Sequence, residues 1–219
     1  MDAAFIIKYT PLYIEALLLV LKLCFWGSLL SLAAGLFCAL ARYFRVPVLG
    51  RLAGAYIEFS RNTPLMIQLF FLYFGLPQVG LKLDSWTCAL IGLTFLGGSY
   101  MAESFRGGLE AVGRGQIEGG LSIGLSRSQL ARYVILPQAL AVGAPSLGAN
   151  VIFLLKETSV VSIVALPDLM FVAKDLIGMY YRTNEALLML VGAYLIALLP
   201  VSILLRVLER RLRFAGFGR

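Results

Sequence analysis

The chain has 219 residues, 60% of them hydrophobic and 14% charged, with a formal net charge of +7. Soluble domains average ~45–50% apolar residues, so the composition excludes an ordinary soluble domain and predicts one all-α integral membrane domain over residues 1–219. Nucleic-acid binding is excluded too, because the basic residues lie between apolar runs, where cytoplasmic loops gather them.

A bilayer crossing needs ~20 largely apolar residues. A short head holds Lys8, Tyr9 and Tyr13, and a first span is predicted at about 13–41. It is too long for the apolar core of a signal peptide and lacks a basic segment before it, so it is expected to stay. Arg42, Arg45 and Arg51 follow, with Pro47 in the turn. The second span, about 52–76, is unusual in carrying Glu58, Arg61 and Pro64. A third is predicted at about 85–105, then a polar interval at 106–137. The fourth, about 138–157, reaches the polar break LKETS, Leu155 to Ser159. An apolar return ends at Pro167, a mixed segment follows along the outer surface, and the fifth span covers about 186–208.

Charge sets the expected orientation. The loop after span one, the interval after span three and the C-terminal end hold twelve basic residues, including Arg213 and Arg219. The head and the other two loops hold four: Lys8, Lys82, Lys174 and Arg182. The positive-inside rule then puts the N-terminus outside and the C-terminus in the cytoplasm. Lys22, two turns into the first span, can snorkel outward and needs no role.

No catalytic or metal site is expected. The chain has no His, which removes the commonest acid–base group and metal ligand. Cys24, Cys38 and Cys88 lack paired spacing. There is no G-x-x-x-x-G-K-[ST] stretch, so nucleotide phosphates are not cradled in the P-loop manner.

Two groups of residues stand out. Glu118 to Pro137 reads EGGLSIGLSRSQLARYVILP. Gly119, Gly120 and Gly124 weaken helix but permit close backbone approach. Ser126 with Gln129 is a capping-box pattern predicting a short helix from Arg127, and Pro137 suits the first turn of the next span. The other group is ionisable or polar inside the spans, at roughly 2.5–3.5 kcal/mol for each charge. Glu58 and Arg61 stand i,i+3 and can neutralise each other. Pro64, three residues after Arg61, frees a backbone carbonyl and opens the helix locally. Gln68, seven residues on, falls on much the same face of a continuous helix. Lys156 and Glu157 interrupt an apolar hairpin, as broken helices do at transporter sites, and Glu157 with Thr158 and Ser159 is taken as the pathway side; the other reading is an outer turn with solvated charges. Arg61, Gln68, Glu157, Thr158 and Ser159 are therefore the candidate substrate pathway, Arg61 taking a carboxylate in bidentate fashion. Glu103 and Arg106 read as a structural pair.

The 118–137 register resembles the cytoplasmic "EAA" loop of permease subunits in ATP-binding-cassette importers, E-A-A-x3-G-x9-I-x-L-P, with Gly119 and Gly120 for the alanines and Val134 for the isoleucine. RNTPLMIQLFFLYF (61–74), SYMAESFRGGL (99–109) and LKETSVVSIVALPDL (155–169) resemble segments of the polar amino acid branch. The resemblance implies a type I importer permease fold with five transmembrane helices. It also implies a second permease subunit, an ATPase dimer that binds ATP and Mg, and an extracytoplasmic binding protein. Glu118, Gly119, Gly120, Gly124, Leu125 and Pro137 would then form the coupling contact with the ATPase, and this chain would hold no cofactor and be no enzyme. An ion-coupled amino acid carrier is the alternative, opposed by the odd span count and the lack of a visible inverted repeat; a membrane enzyme is the third reading.

Overall fold

The computed structural model describes residues 2–217, with side chains through Leu212, so Arg213 and Arg219 of the charge count lie outside the described side chains. Among the described residues the regular structure is entirely helical. The helices are α1 (Ala3–Tyr43), α2 (Leu49–Arg61), α3 (Leu65–Phe70), α4 (Ser85–Glu110), α5 (Arg114–Ser122), α6 (Arg127–Leu130), α7 (Leu136–Glu157), α8 (Leu169–Tyr180) and α9 (Thr183–Phe217).

α1 begins ten residues before the predicted first span. The Asp2 carboxylate caps it by accepting from the Ala4 and Phe5 N–H groups. The head is thus helical, and it packs on the outer helices. Tyr9 and Tyr13 are buried, and the Tyr13 hydroxyl donates to the Ala186 carbonyl at 2.8 Å. The mixed segment after Pro167 contains α8, capped by buried Asp168 through the Met170 and Phe171 N–H groups.

α4 lies at the centre, between α1 and α7, and α7 packs in turn on α9. Small residues let these helices approach closely, which is how helices associate where lipid offers no hydrophobic drive. A Cβ on Gly35 of α1 would meet Met101 Cβ at 2.5 Å and the Ala102 nitrogen at 2.8 Å. One on Gly108 of α4 would collide with the Ala139 carbonyl oxygen. Glu103 anchors the lower end of this contact by pairing with Arg42 at 2.8 Å and Arg106 at 2.6 Å.

Three described helical stretches are long and apolar enough to cross a membrane alone: Ala3–Tyr43, Arg127–Val164 and Thr183–Leu212. α4 has 26 residues, about 39 Å at 1.5 Å per residue. The second predicted span is not one helix. It breaks between Arg61 and Leu65, continues as α3, widens into a π turn at Phe71–Gly75 and tightens into a 3-10 turn at Leu76–Val79. A second π turn, Ala131–Ile135, joins α6 to α7. Each π turn ends two residues before a proline, Pro77 or Pro137. A proline has no N–H to donate and its ring crowds the carbonyl four residues back, and the ladder responds by slipping to a wider turn. Pro137 thus lies in the first turn of α7, as expected, yet the helix path runs back to Arg127 without a gap.

Candidate functional site

The break after Arg61 is built from its own side chains. Helix ends leave carbonyls unpaired, and a membrane interior supplies no water to satisfy them. Asn62 Nδ2 donates to the Glu58 carbonyl at 2.7 Å and Thr63 Oγ1 to the Phe59 carbonyl at 2.8 Å. Gln68 Nε2 reaches back to the Ser60 carbonyl at 3.2 Å and the Thr63 carbonyl at 3.0 Å. The side chains of Asn62, Thr63 and Gln68 thus add to the backbone bonds that the Asn62 and Thr63 N–H groups make to the Glu58 and Ser60 carbonyls, at 3.2 and 3.4 Å. Ser60 and Tyr56 then tie α2 to α4 through the Phe95 carbonyl, at 2.9 and 2.7 Å.

This corrects the expected geometry of the second span. Arg61 and Gln68 do not share one helical face, because three residues of non-helical chain turn between them. Gln68 is buried and borders an apolar cavity of about 400 Å³ with Phe59, Phe71 and Phe95. Nor do Glu58 and Arg61 pair: Glu58 Oε2 accepts from Asn62 at 3.4 Å.

Arg61 and Glu157, in contrast, border the same space. An open cavity of about 350 Å³ lies between the α2–α3 break, α4 and the end of α7, lined by Arg61, Pro64, Leu96, Tyr100, Phe153 and Glu157. The Arg61 guanidinium stands 5.2 Å from the Tyr100 ring centroid, within cation–π range. Tyr100 and Phe153 meet with centroids 5.1 Å apart. Among the described residues Arg61 has no ion-pair partner. One exposed guanidinium and one half-buried carboxylate therefore border a space whose remaining walls are aromatic and aliphatic side chains with Asn62 and Thr63 at the break. That is the charge arrangement a small zwitterion requires.

The rest of the LKETS stretch is divided. α7 ends at Glu157 and a 3-10 turn covers Thr158–Val164. Thr158 is fully buried, its hydroxyl donating to the Leu155 carbonyl at 2.7 Å. Ser159 is half-buried, its carbonyl accepting from Ser162. Neither borders the Arg61 cavity. Tyr100 and Phe153 were missed from sequence. Phe153 had a visible signal, being four residues before Glu157 and so on its face; Tyr100 had none beyond its place in the SYMAESF run.

The 118–137 stretch forms the expected knob. α5 ends in a Schellman turn, with Gly124 N–H donating to the Leu121 carbonyl at 3.0 Å and Leu125 N–H to the Gly120 carbonyl at 3.1 Å. Gly124 sits at φ +83°, a region in which other residues are strained. Ser126 and Gln129 complete the capping box in both directions. Gly120 is buried, and a Cβ there would lie 2.5 Å from Leu130 Cδ1. Gly119 faces open space and Glu118 is exposed. The glycines thus play different parts: Gly120 packs inside the knob, Gly124 turns the chain and Gly119 remains on the surface.

The family model described as "Binding-protein-dependent transport system inner membrane component" matches residues 31–214. The probable amino-acid ABC transporter permease protein PatM of Vibrio harveyi is 37% identical over 190 residues, 85% of each chain. The glutamine transport system permease protein GlnP of Escherichia coli (strain K12) is 36% identical over 209 residues, 93% of this chain and 94% of its own. A chain from a structure described as an amino acid ABC transporter with histidines superimposes with a TM-score of 0.89 at 36% identity, covering 96% of this chain and 99% of that one. The MetNI methionine ABC transporter aligns with a TM-score of 0.73 at 20% identity, a likeness of fold. With the knob, the broken second span and these relatives together, the chain belongs to the family of inner membrane components of binding-protein-dependent transport systems.

Proposed function

We propose that this permease carries a polar amino acid across the cytoplasmic membrane, with Arg61 and Glu157 as the charged walls of the pathway. The observation that carries the reading is their convergence on one cavity beside Tyr100. Arg61 takes the α-carboxylate with its planar fork, and Glu157 faces the α-amino group or a cationic side chain. Ser159 lies near the path, whereas Gln68 and Thr158 hold the backbone that shapes it. The family implies a binding protein outside and an ATPase inside; we place ATP and Mg in that partner. A second permease subunit, identical or closely related, completes the pathway across a dimer interface. The N-terminus lies outside, and the knob and C-terminus lie in the cytoplasm. There the ATPase holds Glu118, Gly119 and Leu125, with Gly120, Gly124 and Pro137 setting the knob's shape. The ion-coupled carrier finds no support among the relatives, which are ABC permeases.

The test is transport by the reconstituted complex. Arg61→Lys, which keeps the charge but loses the planar fork, and Glu157→Gln, which loses the charge, should each slow amino acid uptake at least about tenfold, the loss of one charge-assisted hydrogen bond of ~1.5–3 kcal/mol, with basal ATPase rate and assembly unchanged. Uptake within twofold of wild type in both variants would overturn the assignment. External labelling of a cysteine placed at Arg127, on a background without Cys24, Cys38 and Cys88, would overturn the orientation.

A further inference from the structure

We propose that the turn between α1 and α2 is a binding site for the headgroup of an anionic phospholipid. Arg42, Arg45 and Arg51 line one cavity of about 390 Å³ there, completed by Val46, Pro47 and Gly50. No carboxylate lines it. Arg42 is held by Glu103 at 2.8 Å, while among the described residues Arg45 and Arg51 have no ion-pair partner. Positive charge in a cytoplasmic loop is ordinary; convergence of three arginines on one cavity is a further fact.

The backbone holds this convergence. Val48 stands at φ 66°, ψ −61°, and the Leu49 N–H donates to the Pro47 carbonyl at 2.8 Å. This is a γ-turn of the rare, strained kind, and a β-branched residue there is exceptional. Arg45 is also at positive φ, 50°. The Gly50 N–H donates to the Val46 carbonyl at 2.9 Å, and a Cβ on Gly50 would stand 3.2 Å from the Ala41 carbonyl oxygen. The turn is folded tightly onto the end of α1, which keeps Arg45 and Arg51 on either side of one space.

The surroundings identify the occupant. Phe44, Val48 and Leu52, which stand next in sequence to the lining residues, are 68%, 65% and 60% exposed, so the cationic turn also presents apolar surface. A soluble anion has no use for that surface, whereas a phospholipid places its phosphate in the hollow and its acyl chains along Leu52. Basic pockets at the cytoplasmic ends of membrane helices take anionic headgroups in this manner. The proposal rests on the orientation given above only for the choice of leaflet, since lipid retention in detergent does not depend on orientation.

The test uses the purified full-length permease with its co-purifying subunits in neutral detergent. It is titrated with phosphatidylglycerol or phosphatidylcholine, and bound lipid is counted by native mass spectrometry. Phosphatidylglycerol should be retained in preference to phosphatidylcholine. R45Q/R51Q should weaken it on the order of thirtyfold, from the contribution of two juxtamembrane arginines, and R45K/R51K should restore most of the binding. Millimolar inorganic phosphate should not displace the lipid. Equal retention by wild type and R45Q/R51Q overturns the proposal, as does R45K/R51K binding no better than R45Q/R51Q. Displacement by inorganic phosphate shows a free-anion site instead. Loss of the co-purifying subunits with lipid retention unchanged shows a protein contact instead.

Discussion

Two helix interruptions carry the proposed function, and they are made by opposite means. The α2–α3 break uses Pro64 to stop the helix and three side chains, Asn62, Thr63 and Gln68, to satisfy the carbonyls left behind. The α5–α6 turn uses Gly124 at φ +83° and closes almost entirely on backbone hydrogen bonds, with Ser126 and Gln129 starting the next helix. The first lies against α4, where Gln68 and Ser60 are buried; the second leaves Glu118, Gly119 and Gly124 exposed. At the break Gln68 and Ser60 turn inward, while Asn62 stays exposed and Arg61 faces the cavity. The α5–α6 turn, closed on its own backbone, leaves its exposed surface free for a partner.

The largest expected effect follows from removing the inward-facing amide. Gln68→Leu roughly keeps the volume but removes the donation to the Ser60 and Thr63 carbonyls. The Ser60 carbonyl retains the Thr63 N–H at 3.4 Å, so the Thr63 carbonyl bears most of the loss, at about 1–3 kcal/mol for a buried unsatisfied group. Gln68 Oε1 is itself buried without a partner, so its loss offsets part of the cost. A net destabilisation of about 2 kcal/mol is expected, read as a lowered unfolding midpoint of the purified permease. Unchanged stability would mean that the break is held by Asn62 and Thr63 alone.

A smaller effect separates turn geometry from contact at the knob. Gly124→Ala forces a side chain into the left-handed region at about 1–2 kcal/mol and should loosen the turn, seen as faster hydrogen exchange at the Gly124 and Leu125 amides. Gly119→Ala places its Cβ in open space and should leave the knob intact or firmer, by up to ~1 kcal/mol of helix propensity. Gly119→Arg should then weaken stimulation of the ATPase without altering exchange. If Gly124→Ala uncouples and Gly119→Arg does not, the turn matters and the exposed face is not the contact.

These differences mark where sequence reading succeeds and where it stops. Local chemistry was legible: the Ser126–Gln129 box, the carbonyl freed by Pro64 and the polar interruption at Glu157 were each readable from a few neighbouring residues. The Glu103–Arg106 pair was legible too, although its tie to Arg42 across the helices was not. The i,i+7 argument for Gln68 failed because it assumed a helix continuous across Pro64, read as only a local opening, where the chain leaves the helix for three residues. Pro77 and Pro137 acted at a distance, widening the turns before them, which no residue inside those turns announces. Tyr100 entered the cavity through packing of α4 against α7, information held by the pair of helices and by neither alone.

The smallest effect is expected at Ser126, and it completes the comparison. Its hydroxyl accepts from the Gln129 N–H at 3.3 Å, while Gln129 Oε1 accepts from the Ser126 N–H at 2.8 Å. Ser126→Ala removes the first bond and the hydroxyl's contact with Ser128 Oγ at 3.1 Å but keeps the second, and an exposed N-cap is worth about 1 kcal/mol. Water can replace the hydroxyl there, unlike the Gln68 amide, so overall stability should fall less than in Gln68→Leu. The loss should be confined to the amides of Arg127 to Leu130, which should exchange roughly fivefold faster, the factor for about 1 kcal/mol. Uptake should be nearly unchanged, because Leu130 remains buried against Gly120 and holds the two short helices together. If Ser126→Ala instead destabilised the permease as much as Gln68→Leu, the knob would depend on its side-chain caps as the membrane break does, and the contrast between the two interruptions would collapse.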